Sequence, residues 1–403
     1  MDNTIEILKK WNIWEKGIVA GIPRKGYVNL IYPYFERKEV LVLKGVRRCG
    51  KSTIVKQLIA ELVKKGAEKK QILYLNLEDY GFADRLNILL FDEVLDAYKK
   101  YSNNKKKIYF FIDEVQKIPS WEKWIRTKYD LGEDIKFLVT GSSASLLSKE
   151  LSTLLTGRNI SFRIMPLSVT EFSRFVGKED LDQYMKFGGF PEVVLEKSEE
   201  KKTILLRQYF EDIIYKDIID RYAIRNTKQV LNLARYLISV SGSKVSVNKL
   251  SKVFGLAKET LQSYINYMID TFLLLEIGFF SYSAKVKHDA SKLPKLYCAD
   301  NGLVCVTSNI YTKNIGKMFE NTVFVSLMQR NKEVSYWSDG KCEVDFIVET
   351  TAINVTSSDK IHIRERTVVE EFKMKHHNFS LLIVSNTIKE DDGVQIIELI
   401  TKK

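Results

Sequence analysis

The stretch from Val40 to Leu58, VLVLKGVRRCGKSTIVKQL, limits what this chain can fold into more than any other. An apolar run stops at a loop bracketed by glycines and a helix-forming pattern follows, so the order is strand, loop, helix. Gly45, Gly50, Lys51 and Ser52 fill the G-x-x-x-x-G-K-[ST] template of a phosphate-binding loop. Glycine allows backbone conformations that a Cβ forbids, so successive N–H groups can converge on a nucleoside triphosphate. The expected phosphate contacts run through Gly45, Val46, Arg47, Arg48, Cys49, Gly50, Lys51, Ser52 and Thr53. The partial positive charge of the following helix adds to the attraction. Lys51 is expected to reach the β- and γ-phosphates and the Ser52 hydroxyl to hold Mg²⁺. ATP or GTP is the ligand this pattern implies.

A second motif completes that chemistry. IYFFIDE, ending at Asp113 and Glu114, is a buried strand closed by two carboxylates. Ligands of open α/β sheets gather at the carboxyl ends of the strands, which sets Asp113 beside Mg²⁺ and Glu114 where it can orient or deprotonate a water. Another buried strand, IKFLVTGSS over residues 135–143, ends in hydroxyls, and Thr140 or Ser142 is a candidate contact to the γ-phosphate or the water. Arg158 follows a glycine ahead of one more apolar strand, a position from which a guanidinium can stabilise phosphate charge in a neighbouring subunit. With QILYLNLED at 71–79 and an amphipathic helix from about Ile88 to Tyr101, the alternation is that of a parallel α/β sheet. The lead-in with Trp11, Trp14, Pro23, Arg24, Tyr27, Tyr34 and Phe35 is expected to pack beside the nucleotide's base.

A chain of 403 residues with 45% hydrophobic composition has material for two to four domains. Its net charge of +12 is uneven, +10 over residues 1–165 and +5 over 226–310 against −2 for 166–225 and −1 for 311–403. Phosphate binding accounts for part of the first excess, and a Lys-rich solvated surface accounts for the rest as well as nucleic-acid contact does. Cys49, Cys298, Cys305 and Cys342 form no C-x-x-C pair and the histidines are His288, His362, His376 and His377, so no disulfide framework or zinc site is expected. The N-terminus lacks the pattern of a secretory leader and no apolar run approaches a bilayer's thickness, so a cytoplasmic location without membrane contact is expected.

The set GVRRCGKST, IDEVQKIPSWEKW, VTGSSASLL, TGR and MPLSVTEF resembles the archaeal and bacterial AAA+-type ATPases that carry a nuclease-like domain at their C-terminus. The resemblance spans nearly the whole chain. It implies an AAA+-like P-loop NTPase domain, a helical and winged-helix middle and a domain of the PD-(D/E)XK nuclease class. ATP with Mg²⁺ is the implied cofactor pair and a homo-oligomer a possible assembly.

The residues downstream fit those parts. Residues 166–225 read as helices, with Tyr209, Ile213, Ile214 and Ile218 at helical spacing; the charged cluster Lys216, Asp217, Asp220 and Arg221 reads first as a solvated face, with an ion-pair network as the alternative. Residues 244–273 read as a helix-turn-helix, with Leu250, Val253 and Leu256 and then Leu261, Ile265, Met268 and Phe272 facing inward. Its second helix presents Lys258, Glu259, Gln262, Ser263 and Asn266, a set that leaves DNA binding as open as a protein-docking or purely structural role. In the resembled nuclease class a helix carboxylate, a strand Asp and a Glu-x-Lys converge on a metal. Glu320 and Asp345 match the first two, but Asn354 and Thr356 stand where Glu and Lys belong, and Lys341 or Lys373 is a conceivable migrated lysine.

The expected domains are therefore a P-loop ATPase at 1–165, a helical region at 166–225, a winged-helix-like module at 226–295 and a degenerate nuclease-like α/β domain at 296–403. The expected activity is ATP hydrolysis without nucleic-acid cleavage. A non-hydrolysing ATP switch and an ATP-regulated nuclease are the rivals.

Overall fold

Short runs of almost unbroken Val, Ile, Leu and Phe leave no polar face for solvent, which favours a parallel sheet covered on both sides. That is the arrangement in the computed structural model, which describes residues 2–142, 157–287, 289, 291–308, 315–330, 333–340, 342–357, 363–385 and 393–395. Lys341, His288, His362 and residues 143–156, which include part of VTGSSASLL, lie outside the described residues. The chain divides into two compact units, Met1–Val46 with Gly50–Ile164, and Arg47–Cys49 with Met165–Lys403.

In the first unit, strands β1 (Val40–Lys44), β2 (Ile72–Asn76), β3 (Ile108–Asp113), β4 (Ile135–Gly141) and β5 (Asn159–Arg163) form a parallel sheet in the order β2-β3-β4-β1-β5. Helix α1 (Asp2–Trp11) supplies Ile7 and Leu8 to the core on one face of this sheet. Helix α2 (Lys25–Ile31) follows, and α3 (Lys51–Lys64) buries Ile54, Val55, Leu58 and Leu62. Helix α4 (Leu89–Ser102) adds Phe91, Val94, Leu95 and Tyr98 to the same core as α1, and α5 (Trp121–Asp130) adds Trp121, Trp124 and Ile125. Each such side chain removed from water contributes roughly 1.5–3 kcal/mol, so these helices are held to the sheet by burial.

The lead-in divides its contacts. Trp11 donates to Asp79 at 2.7 Å and Trp14 to the Ile72 carbonyl at 2.6 Å, so both indoles are spent beside β2. The segment near the phosphate loop is instead Ala20–Ile22, whose carbonyls at both ends accept from the Gln57 amide of α3 at 3.0 and 2.8 Å. A Cβ on Gly21, which has φ +63°, would lie 3.4 Å from Thr53 Cγ2.

The second unit begins with helices, α6 (Val169–Val176), α7 (Leu181–Phe187), α8 (Pro191–Leu195) and α9 (Glu199–Asp212), the last running on into a π-helix over Ile213–Ile219. The motif MPLSVTEF is a helix start: Ser168 accepts from the Glu171 N–H while the Glu171 side chain accepts from that of Ser168. Next come α10 (Thr227–Ser239), β6 (Ser243–Lys244), α11 (Val247–Phe254), α12 (Lys258–Asp270), β7 (Leu274–Ile277) and β8 (Lys295–Cys298). The three strands form an antiparallel sheet with β8 in the middle. Val253 was expected to face inward and is 71% exposed. Helix α11 ends at Phe254, whose ring packs on Tyr236, so the inward stripe is Leu250 and Phe254 at i, i+4 rather than Leu250 and Val253.

Helices α13 (Asn301–Ser308) and α14 (Ile315–Met328) precede a second five-stranded sheet. Helix α14 buries ten of its residues, from Met318 to Met328 with only Glu320 omitted. Strand β10 (Glu343–Val348) runs antiparallel to both its neighbours, β9 (Ser335–Ser338) and β11 (Thr351–Val355), while β12 (Ser380–Ser385) and β13 (Gly393–Gln395) continue the sheet in parallel; α15 (Ile363–Lys375) links β11 to β12. The architecture is thus a parallel α/β unit followed by a helical and a further α/β region.

Candidate nucleotide site

The loop after β1 and the acids after β3 meet because β4 alone separates those strands. Gly50 takes φ +97° at the entry to α3, a left-handed conformation that glycine adopts without strain. Lys51, 4% exposed, donates to the Gly45 carbonyl at 3.1 Å and the Val46 carbonyl at 3.3 Å, and its ammonium lies 3.7 Å from Glu114 Oε1. Lys51 and Glu114 were named from separate motifs, and the fold brings them together.

Glu114 itself is held under constraint. It has φ +56°, which costs a non-glycine residue roughly 1–3 kcal/mol and is tolerated where surrounding contacts fix it. One contact is Thr140: its hydroxyl accepts the Glu114 N–H at 3.0 Å and donates to Asp113 Oδ1. Asp113 Oδ2 accepts from the Tyr74 hydroxyl at 2.7 Å, and burial followed by the Asp113 charge raises the Tyr74 pKa well above its ordinary value, so that phenol stays a donor. Ser142, fully buried, is 3.4 Å from the Gln116 amide, which also donates to Glu114 Oε2. Thr140 therefore positions the two acids through its own hydrogen bonds, a role the sequence reading, which looked for a phosphate contact, did not anticipate.

A Mg²⁺ ion would find suitable donors here. Asp113 is a hard carboxylate with both oxygens oriented by neighbouring hydroxyls, and Ser52 opens α3 at the next position after Lys51. Thr53 follows in the same first turn.

Arg47, Arg48 and Cys49 group with the second unit. Arg47 makes a two-pronged pair with Asp217 of the π-helix, both N···O distances being 2.9 Å, and Asp217 is 2% exposed. Arg221, in the turn that follows that helix, adds a contact at 3.6 Å to the same carboxylate. The cluster read as a solvated face is thus built around a buried carboxylate; Lys216 pairs with Asp212 at 2.8 Å. Arg48 lies 3.9 Å from Glu192 with its guanidinium 5.5 Å from the Tyr209 ring, and Cys49 is fully buried. Arg158, just before β5, sits 3.3 Å from Asp130 and over the Tyr129 ring.

Over residues 37–173 the chain matches the AAA domain family, and over residues 178–314 a domain of unknown function (DUF8612). An uncharacterized protein of Haemophilus influenzae is 30% identical over 94% of this chain and 98% of its own length. One from Methanocaldococcus jannaschii is 28% identical over 99% of this chain and 92% of its own. Among solved structures, the Thermotoga maritima RuvB Holliday junction branch migration motor aligns at 18% identity over 62% of this chain and 87% of that one, with a TM-score of 0.32, too loose a likeness to argue from. Among the described residues no helix is long and apolar enough to cross a membrane.

Proposed function

We propose, for a chain that belongs to the same family as the Haemophilus influenzae protein and carries an AAA-type P-loop ATPase domain, that it hydrolyses ATP with Mg²⁺ and couples that cycle to its helix-turn-helix and C-terminal α/β parts. The observation that carries the reading is the Lys51 ammonium facing the Glu114 carboxylate at 3.7 Å, with Asp113 alongside. Mg²⁺, held by Ser52 and through water by Asp113, would supply charge neutralisation between the β- and γ-phosphates. Lys51 exchanges its main-chain carbonyl partners for phosphate oxygens. Glu114, fixed by Thr140, aligns a water and accepts its proton. Arg158 completes the phosphate contacts from a neighbouring copy in a homo-oligomer.

Downstream, the order of α10, β6, α11, α12, β7 and β8 supports a winged helix over 226–295, following the helical region 166–225. The helix and strand carboxylates Glu320 and Asp345 support a nuclease-like domain over 296–403, in which Asn354 and Thr356 replace the acid and lysine that cleavage needs. We read this domain as one that does not cut. Lys258, Glu259, Gln262 and Asn266 form the exposed face of α12 through which DNA or a protein would be held.

The test is to measure ATP affinity and phosphate release together. Lys51→Ala removes binding, whereas Glu114→Gln keeps binding and lowers turnover by about 10²–10⁴-fold, the usual scale for a positioned base. Unchanged turnover in Glu114→Gln would refute the mechanism and favour a switch in which binding alone carries the signal.

A further inference from the structure

In the second unit, a lysine lies where the resembled nucleases hold metal. Lys295, on β8, is 1% exposed. Its ammonium is 2.6 Å from Glu343 Oε1, 3.4 Å from Glu320 Oε1 and 3.7 Å from Asp345 Oδ1. These three carboxylates come from α14 and β10, so one cation gathers groups from two elements.

The surroundings are built for that cation. Tyr297, two residues along β8, donates to Glu320 Oε1 at 2.6 Å, and Asp345 Oδ2 accepts the Val355 N–H at 2.9 Å. Lys244, on β6, reaches Glu343 Oε2 at 2.6 Å, and the ring of Tyr336 lies 5.2 Å from the Lys244 ammonium and 5.5 Å from that of Lys295. Gly242, at φ +80°, leaves room for Glu320, since a Cβ there would stand 3.1 Å from the carboxylate. Burial works against the Lys295 charge, but Glu320, Asp345 and Glu343 together hold its pKa above the ordinary lysine range.

A divalent ion does not fit alongside. It would need oxygens at roughly 2.0–2.6 Å from one centre, and the point on which these carboxylates converge is filled by Nζ. A second cation beside a buried ammonium adds repulsion at a distance where interior charges are poorly screened. Asn354, 6% exposed on β11, has an Oδ1 with no hydrogen-bond partner among the described residues, and an amide brings no charge to replace the missing carboxylate.

We propose that Lys295 takes the place of a divalent metal in this carboxylate cluster, which thereby serves as a permanent joint between the three-stranded helix-turn-helix sheet and the C-terminal sheet. The lysines of β6 and β8 are one side of the joint and the acids of α14 and β10 the other. The inference needs only this geometry and stands whether or not the first unit hydrolyses ATP.

The test uses the full chain and Mn²⁺ as probe. Wild type, Glu320→Gln, Lys295→Met and the Lys295→Met, Glu320→Gln double variant are titrated with Mn²⁺ by electron paramagnetic resonance. Wild type and Glu320→Gln should bind alike. Lys295→Met should gain a site at least about tenfold tighter, since removing the ammonium leaves three acids around one cavity, and the double variant should lose it. Glu320-dependent binding by wild type, or a folded Lys295→Met with no gain, would overturn the proposal. If Lys295→Met does not fold, melting of wild type with and without EDTA decides: an unchanged melting temperature agrees with a lysine-held joint, and a drop that Glu320→Gln abolishes contradicts it.

Discussion

Asp300 offers a measurement whose size follows from its surroundings. Its side chain is 2% exposed, with Oδ2 accepting the Gly189 N–H at 2.6 Å and Oδ1 accepting that of Gly302 at 2.8 Å. It thus fastens the turn after α7 to the start of α13. Burial outweighs these hydrogen bonds and pushes the Asp300 pKa from 3.8 to about 7. Between those values the folded form keeps a proton that the unfolded chain has released, so stability falls as pH rises and levels off above about 7. From pH 5 to 8 about two units of that window are crossed, ~3 kcal/mol or roughly 100-fold in the local opening equilibrium. Asp300→Asn cannot titrate, and its single acceptor oxygen leaves one of the two N–H groups poorly paired, a cost of ~1–3 kcal/mol that does not vary with pH. Hydrogen exchange at Gly189 and Gly302, corrected for intrinsic rates, reads the effect directly. Wild-type protection should fall from pH 5 to 8 and variant protection should stay level, so that the gap between them narrows or reverses. An equal slope in the two proteins would refute the assignment of the pH dependence to this carboxyl.

Two further outcomes concern the nucleotide site. Thr140→Val keeps the shape but leaves the Glu114 N–H without its acceptor, worth ~1–3 kcal/mol, so phosphate release should fall about 5- to 150-fold with little change in ATP affinity, while Thr140→Ser restores most of the rate. Equal loss of affinity would mean that the hydroxyl meets nucleotide instead. Mixing Arg158→Ala with Lys51→Ala should recover some hydrolysis at mixed interfaces, because each copy supplies what the other lacks; a dead mixture of variants that still assemble would place Arg158 in its own subunit's site or in a structural role with Asp130.

The features visible in the sequence are those fixed by neighbours in the chain. The phosphate loop and the Asp113-Glu114 pair are local patterns, and the apolar strands that carry them run in one direction, as βαβα alternation requires; that β4 lies between them is set by the crossover and shows only in the fold. For Asp217 the ion-pair alternative holds over the solvated face, and local charges could not decide between them because the partner Arg47 lies 170 residues away. Lys295 was passed over for a related reason. It sits among Leu293, Leu296 and Tyr297, and a lysine in an apolar strand was a signal, but only the meeting of β8 with α14 and β10 gives it three acids. Val253 failed on phase, since Phe254, four residues after Leu250, takes the packed position in its place.

The position of β4 has a consequence as a spacer. Neighbouring strands stand about 4.8 Å apart, so one strand inserted between β1 and β3 sets the carboxyl ends of those two roughly 10 Å from each other. Were β1 and β3 hydrogen-bonded directly, the loop after β1 and the acids after β3 would leave adjacent strands. On the proposed mechanism, hydrolysis should therefore tolerate side-chain repacking around β4 far better than any change that shifts its register against β1.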